Sequence, residues 1–194
     1  MKIVGIFGVV EESLFAVRFD DKAFDEFKDL FDKWQDIEYL EQFFEDNKHD
    51  LKNGIYQHIS LEEAVEKTAE EVFQFEQTLR KAAFNSAHHP NAKLTLESVV
   101  FKSLHKDILD NEYIQSKAYG NRHKSWLRIY AIRLDRDIYF ISGGGIKLTK
   151  TMQESEHLKL ELLKIEKVKE YLKENFIVDE ADLGTIELES YEEE

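Results

Sequence analysis

The chain contains no cysteine, one proline and only eight glycines in 194 residues. Without cysteine it can form no disulfide bond and no Cys-ligated zinc or iron–sulfur site. So little proline and glycine favours long regular elements over irregular loops. The apolar run at residues 3–10 is too short to cross a bilayer and charges follow it at once, which indicates a strand and not a signal peptide. We therefore expect a soluble, cytoplasmic protein that does not contact a membrane.

Apolar residues make up 42% of the chain and charged residues 34%, which provides a core and a solvated surface for one domain. The formal net charge of −14 argues against nucleic-acid binding over the whole surface. The segment 117–151 is nevertheless +6, which leaves −20 for the rest of the chain. From Glu174 onward there are nine carboxylates and no lysine or arginine. The basic segment is therefore where we expect any binding or catalysis.

Hydrophobic periodicity divides the first half of the chain into strands and helices. Apolar, β-prone runs predict a β-hairpin over residues 1–19. From there the period changes, and an aromatic stripe at three- and four-residue spacing predicts helices over 20–84. The stripe fits either one long helix or two helices broken near residues 35–36. A capping-box pattern at residues 60–63 then predicts a further helix that ends near Ala83.

The second half of the chain predicts a sheet over residues 94–150. The stretch 94–104 fits a strand or a short helix, whereas Trp126–Leu134 and Asp137–Ser142 fit two central strands joined by a tight turn. The three glycines at 143–145 interrupt this pattern.

The last part of the chain predicts a C-terminal helix over 155–175, an edge strand near residues 185–188 and an acidic tail over 177–194. We thus expect one α+β domain over residues 1–176. Its central antiparallel sheet carries an N-terminal helical hairpin packed on it and a C-terminal helix.

Residues 126–157 read WLRIYAIRLDRDIYFISGGGIKLTKTMQESEH and precede the amphipathic C-terminal pattern. This stretch resembles the distal half of toxins of the RelE/ParE superfamily, particularly the HigB-like branch. Those toxins carry a strand with Leu-Arg followed by Tyr, a hairpin, and a second strand that ends in a Lys-Thr-rich loop. The residues that carry the resemblance are Leu127, Arg128, Tyr130, 138–141, Lys147, Thr149, Lys150 and Thr151.

The resemblance implies a RelE-like fold and the toxin component of a type II toxin–antitoxin system. Such a toxin is an mRNA endoribonuclease that needs no metal or other cofactor, acts in the ribosomal A site and is held by an antitoxin partner. Members of the superfamily are usually shorter and basic. The alternative is a catalytically inactive relative, or an accessory protein, that contacts a protein or RNA partner through its basic strands.

RNA cleavage requires a base for the 2′-hydroxyl proton, a cation for the phosphorane and an acid for the leaving oxygen. On the resemblance, the catalytic candidates are Arg128, His123, Lys147 and Tyr119. The RNA-binding candidates are Lys117, Arg122, Lys124, Arg133, Lys150 and Thr149. Because Arg128 and Arg133 are an odd number of residues apart, they face opposite sides of a regular strand. This parity favours Arg128 for function and indicates a structural residue, tied to a carboxylate, at Arg133.

Three other features keep two interpretations each. The glycines at 143–145 can let the backbone approach a phosphate, or they can mark a bulge where the sheet passes close to a helix, which we favour. His88 and His89 suggest a metal site, but neighbouring side chains rarely converge and a solvated loop is the better interpretation. The acidic tail can be merely solubilising, or it can fold back over the basic segment.

Overall fold

The chain forms a mixed β-sheet with α-helices on both of its faces. The structure, a computed structural model, describes residues 1–89, 91–104, 113–122, 124–185 and 188–189. Within them the strands are β1 (Ile3–Val10), β2 (Leu14–Phe19), β3 (Phe101–Ser103), β4 (Ile114–Tyr119), β5 (Leu127–Asp135), β6 (Ile138–Ile146) and β7 (Leu188–Glu189). The α-helices are α1 (Glu26–Gln35), α2 (Ile37–Asp46), α3 (Lys48–Asn53), α4 (Leu61–His88) and α5 (Glu156–Glu174).

Several helices begin where the sequence supplies a capping side chain. The Asp25 carboxylate accepts hydrogen bonds from two backbone N–H groups at the start of α1, and Asp36 does the same for α2. Ser60 and Glu63 form a reciprocal capping box at the start of α4, as predicted. Because Asp36 starts a new helix, the aromatic stripe is divided into two helices, the second of the two alternatives.

The sheet has the strand order β3-β4-β5-β6-β2-β1-β7. Strands β3 to β6 form an antiparallel meander, and β1 and β2 form the predicted N-terminal hairpin. A parallel pairing of β2 with β6 joins these two parts, and β7 lies parallel to β1. The predicted α+β class is therefore confirmed. The antiparallel pattern holds for the meander and the hairpin, while the complete sheet is mixed because both joins are parallel.

Each face of the sheet has its own hydrophobic core. Helices α1, α2 and α4 cover one face, where Trp34 and Phe75 are buried. Helix α5 covers the other face, where Ile165 packs with Phe15 and Phe140, and the last two rings are stacked with centroids 5.0 Å apart. The aromatic stripe thus contributes mainly to the core.

The glycine run at 143–145 lies inside β6 and does not interrupt the strand. A register shift between β5 and β6 lies next to Gly143, so the predicted bulge is confirmed. A Cβ on Gly144 would lie 2.4 Å from the backbone oxygen of Arg128 and 2.9 Å from Cδ1 of Leu30. The missing side chain therefore lets β6 sit close to both β5 and α1.

The remaining elements settle two of the predictions. Residues 94–104 realise both alternatives in part, because a π-helical turn (Leu96–Val100) leads directly into β3. Helix α5 spans the predicted range, and a 3-10 helix (Glu180–Thr185) follows it. Strand β7 lies at the β1 edge of the sheet, where Nη2 of Arg18 is 2.8 Å from Oε2 of Glu189. This part of the acidic tail therefore docks at the edge farthest from β3, and residues 190–194 lie outside the described residues.

None of the helices in the described ranges combines the length and the apolar character that crossing a bilayer requires. The cytoplasmic location stays a prediction.

We expect Gly144→Ala to lower the free energy of unfolding by about 2–3 kcal/mol, because the added methyl group would overpack a buried contact with strand backbone. Urea denaturation measures the change. Gly184→Ala is the matched control, since a Cβ at that position meets no atom within 4 Å. The control should stay within about 0.5 kcal/mol of the parent protein. Equal stability of the two variants would contradict the close packing of β6.

Candidate functional site

Arg128 and Tyr119 both belong to the basic segment and lie side by side on adjacent strands. They are register partners on β5 and β4, and Cζ of Arg128 is 4.2 Å from the centroid of the Tyr119 ring. Nη1 of Arg128 donates hydrogen bonds to the backbone oxygens of Ser125 and Leu127, at 2.7 and 2.6 Å. Burial lowers the pKa of the Arg128 guanidinium, which still remains charged at neutral pH. A fixed positive charge thus lies against an aromatic ring on a residue that is 42% exposed.

Two lysines extend this pair across the neighbouring strands. Nζ of Lys117 lies 5.9 Å from the centroid of the Tyr119 ring on the same strand. Lys102 on β3 is the register partner of Lys117. Like charges directly opposite each other on adjacent strands destabilise a sheet, so the fold does not account for this pairing. Two adjacent cations at the edge of a sheet are, however, well suited to a negatively charged ligand.

Lys147 is the last member of this group. Its Nζ donates to the backbone oxygen of Thr149 at 2.6 Å. Burial lowers the pKa of the Lys147 ammonium, and the positive charges of Arg128 and Lys117 lower it further. Lys147 is therefore close enough to Arg128 and to Lys117 to interact with both electrostatically. We define the basic face as Lys102, Lys117, Tyr119, Arg128 and Lys147.

The cations of the basic face are not neutralised by the described part of the chain. None of the four has a carboxylate within 4 Å there. Helix α5 covers the middle of this side of the sheet, where Leu158 and Ile165 pack on the core, and leaves Tyr119 exposed. The basic face is thus a partly exposed concentration of positive charge that no carboxylate of the described residues neutralises.

Two predicted RNA-binding residues are held away from the basic face by acidic partners. Nη2 of Arg122 lies 2.5 Å from Oε2 of Glu70 on α4. Nη1 of Arg133 lies 2.7 Å from Oε1 of Glu97. The second contact is the carboxylate tie expected for Arg133, so the presence of that tie is confirmed.

Of the other predicted residues, three have a described position and one, His123, does not. Lys124, in the turn between β4 and β5, and Lys150, just after β6, are exposed. The Thr149 hydroxyl donates to the backbone oxygen of Thr151 at 2.7 Å, so it is used locally. His123 lies outside the described residues, and its catalytic role stays a prediction. Lys102 was missed because its segment fitted either a strand or a helix.

A crevice opens where the parallel strands β2 and β6 end. The chain leaves β2 for α1 on one face of the sheet and leaves β6 for α5 on the opposite face. Adjacent parallel strands with this divergence are where open α/β sheets form ligand crevices. A cavity of about 730 Å³ lies there, lined by residues of α1, α2, α5 and the glycine run.

The charges in this crevice largely neutralise one another. Nζ of Lys164 lies 2.9 Å from Oε2 of Glu26 and 2.8 Å from Oε1 of Glu161, and Nζ of Lys22 lies 2.7 Å from Oε1 of Glu26. Lys164 and both glutamates are buried. This network ties α1 to α5 around the divergent strand ends. Oε2 of Glu161 has no hydrogen-bond partner among the described residues, and burial raises the pKa of Glu161 to about 7 against the opposing effect of Lys164.

The histidines of the described chain provide no metal site. Nδ1 of His157 lies 2.8 Å from Oγ of Ser155, and its Nε2 lies 3.0 Å from the backbone oxygen of Ile146, so both ring nitrogens are engaged. His88 ends α4, and its ring packs at 4.6 Å, centroid to centroid, against Phe84. Nowhere in the described ranges do three His, Asp or Glu side chains gather as a metal ion requires.

Comparison of the chain with protein-family models, with curated proteins and with solved structures gives no match. The resemblance to RelE/ParE toxins therefore rests on residues 126–157 and the elements around them. Function has to be argued from the chemistry of the site.

Glu161 makes the stability of the protein depend on pH. The folded protein keeps the Glu161 proton up to about pH 7, whereas the unfolded chain loses it near 4.5. The folded state therefore binds more protons between these values, and the free energy of unfolding falls as the pH rises through this window. The contribution of this one group is at most about 3 kcal/mol.

We expect Glu161→Gln to remove this dependence, because the amide has the shape of the carboxyl group and does not titrate. Urea denaturation at about pH 5 and about pH 8 compares the two proteins across the window. The stability of the parent relative to the variant should be lower at the higher pH. Glu174→Gln, an exposed site at the end of α5, is the control and should follow the parent. A parent and a Glu161 variant with the same pH profile would show that this carboxyl is not protonated when folded.

Proposed function

We propose that the chain binds single-stranded RNA through the basic face and cleaves it, as a RelE/HigB-like toxin of a type II toxin–antitoxin system. The proposed substrate is mRNA, and the proposed partner is an antitoxin protein. The observation that carries the proposal is the concentration of four cations, none of them paired with a described carboxylate, around an exposed tyrosine in a chain with a net charge of −14.

The basic face has the chemistry that single-stranded RNA requires. Cations that follow the backbone bind phosphates, and an aromatic ring stacks a base regardless of its sequence. Lys102 and Lys117 lie side by side across two strands, and the ring of Tyr119 lies next to them. The guanidinium of Arg128 already lies over one side of that ring, which leaves its exposed part for a base. Unstacked bases are what proteins read in single-stranded RNA.

The same residues can support cleavage of the bound strand. The 2′-oxygen forms a bond to phosphorus, the bond to the 5′-oxygen breaks, and the products are a 2′,3′-cyclic phosphate and a 5′-hydroxyl. Arg128 is placed to stabilise the charge on the phosphorane. The ammonium of Lys147 adds a second positive charge there, and Tyr119 is suited to donate a proton to the leaving oxygen. The base for the 2′-hydroxyl proton is the predicted His123, which lies outside the described residues.

One observation favours the alternative of binding without cleavage. Nη1 of Arg128 already donates to two backbone oxygens, and the guanidinium is stacked on Tyr119. A side chain held in this way is also a stacking platform of the kind that sequence-tolerant RNA binders use. Binding and cleavage therefore have to be measured separately.

For binding, we expect the affinity for a labelled single-stranded RNA to fall as salt rises, because cation–phosphate contacts release counterions. Fluorescence anisotropy at several salt concentrations gives the slope. Lys102→Ala and Lys117→Ala should each reduce the slope by about 0.7, the value for one phosphate contact with a single strand. Arg136→Ala removes one charge from the turn between β5 and β6, outside the basic face, and is the control. An equal reduction of the salt dependence in all three variants would mean that the net charge, and not the basic face, sets the affinity.

For cleavage, we expect the purified protein to cut mRNA in a cell-free translation reaction, with message ends mapped by primer extension. Arg128→Ala should abolish the new ends because it removes the cation from the phosphorane. Arg136→Ala should leave them in place. Tight RNA binding with intact message in every reaction would remove the enzymatic proposal and leave the binding protein.

A further inference from the structure

A second cavity adjoins the basic face at the end of the sheet. It has a volume of about 320 Å³ and lies between the segment before α4, the first half of α4 and the turn from β4 to β5. Its size is at the low end of the range for small-molecule sites. Tyr56, Glu71, Lys124, Ser125 and Trp126 are among the residues that line it.

The two aromatic residues provide largely apolar walls. The Tyr56 hydroxyl donates to the backbone oxygen of Lys124 at 3.1 Å, and Nε1 of Trp126 donates to Oγ1 of Thr68 at 2.9 Å. Their polar atoms are therefore already satisfied. The two rings meet edge to face with centroids 5.0 Å apart. Such walls suit a flat, unsaturated ligand.

Glu71 is the unusual residue of this pocket. It is only 3% exposed, and its Oε1 accepts a hydrogen bond from the backbone N–H of Arg122 at 2.9 Å. Among the described residues no lysine, arginine or histidine nitrogen lies within 4 Å of its carboxylate, since the Arg122 side chain turns to Glu70 instead. A buried carboxylate without a counter-ion is unfavourable unless N–H donors satisfy it. A ligand with N–H donors can add to the single donor from Arg122.

Positively charged residues also line this pocket. Lys67 and Lys124 belong to its lining, and their ammonium groups suit an anionic group, whereas the Arg122 guanidinium is paired with Glu70. A ligand that fits all three features has N–H donors, a flat body and an anionic group. A nucleotide has all three. Among the RNA bases, guanine presents two adjacent donors, N1–H and the N2 amino group, which match the two oxygens of a carboxylate.

A hydrogen bond joins a residue of the pocket to Arg128 of the basic face. The backbone oxygen of Ser125 accepts the hydrogen bond from Nη1 of Arg128, and Ser125 itself lines the pocket. A strand whose phosphates lie on the basic face can therefore place a neighbouring base at the pocket. We propose that this pocket binds a guanine base of the RNA, with Glu71 accepting hydrogen bonds from its Watson–Crick edge. The proposal rests on the RNA binding argued above and adds a base preference to it.

The test uses nucleoside 5′-monophosphates as probes, because they do not need the basic face. The ¹⁵N-labelled protein has two indole N–H signals, from Trp126 in the pocket and from Trp34 in the core. We expect guanosine monophosphate to shift the Trp126 signal and to bind roughly 10-fold more tightly than inosine monophosphate, which lacks the 2-amino donor. Adenosine and uridine monophosphates should bind no better than inosine monophosphate.

The protein-side variant is Glu71→Gln, with Glu66→Gln on the exposed side of the same helix as its control. We expect the first to remove the preference for guanosine over inosine monophosphate and the second to retain it. If Glu71→Gln does not fold, the ligand series on the parent protein decides alone. Equal affinity for all four monophosphates, or no shift of the Trp126 signal, would overturn the inference.

An oligoadenylate separates this inference from the proposed function. Oligoadenylate binding that depends on Lys117, without any guanine preference in the monophosphates, removes the pocket proposal and leaves the basic face. A guanine preference without binding of any RNA supports a nucleotide site and removes the proposed RNA function.

Discussion

The parallel pairing of β2 with β6 is the contact on which the rest of the fold depends. It joins Leu14–Ala16 to Tyr139–Ile141 and is the place where the N-terminal hairpin enters the sheet of the meander. Because the two strands continue into helices on opposite faces, the sheet is covered on both sides. The same divergence opens the crevice beyond the strand ends, and the buried Lys164 with its two carboxylates ties the helices together across it.

The position of the basic face follows from which strands α5 covers. This helix packs over β6 and the middle of β5, where Ile165 and Val168 are fully buried. Strands β3 and β4 lie farther toward the edge, and their side chains on this face can be polar without disturbing the core. Lys102 and Lys117 occupy that strip, which no helix of the described residues covers. The opposite faces of the same strands carry Phe101 and Ala118, which are buried against the larger helical layer.

Local sequence patterns predicted the helices and strands, but they could not predict contacts between distant segments of the chain. The capping box at Ser60 depends on side chains within one turn, so the sequence shows it directly. Strand parity separated Arg128 from Arg133 for the same reason. The new helix at Asp36 was one of two alternatives that the sequence left open. The join of β2 to β6 leaves no periodic signature, because it is made by residues far apart in the chain. Glu71 was missed because an acidic residue in a charged helical pattern is indistinguishable from its exposed neighbours until packing buries it.

The acidic bulk of the chain does not prevent an anion from binding at the basic face. At physiological ionic strength, charges farther apart than about 8 Å in solvent are largely screened from each other. The field at a bound phosphate is therefore set by the cations beside it and not by the net charge of −14. The acidic strand β7 lies at the opposite edge of the sheet, with Glu189 paired to Arg18. The negative net charge instead weakens the non-specific attraction of RNA to the remaining surface. A chain of this kind can bind RNA in one place while it repels RNA elsewhere, and such a distribution favours a single bound orientation.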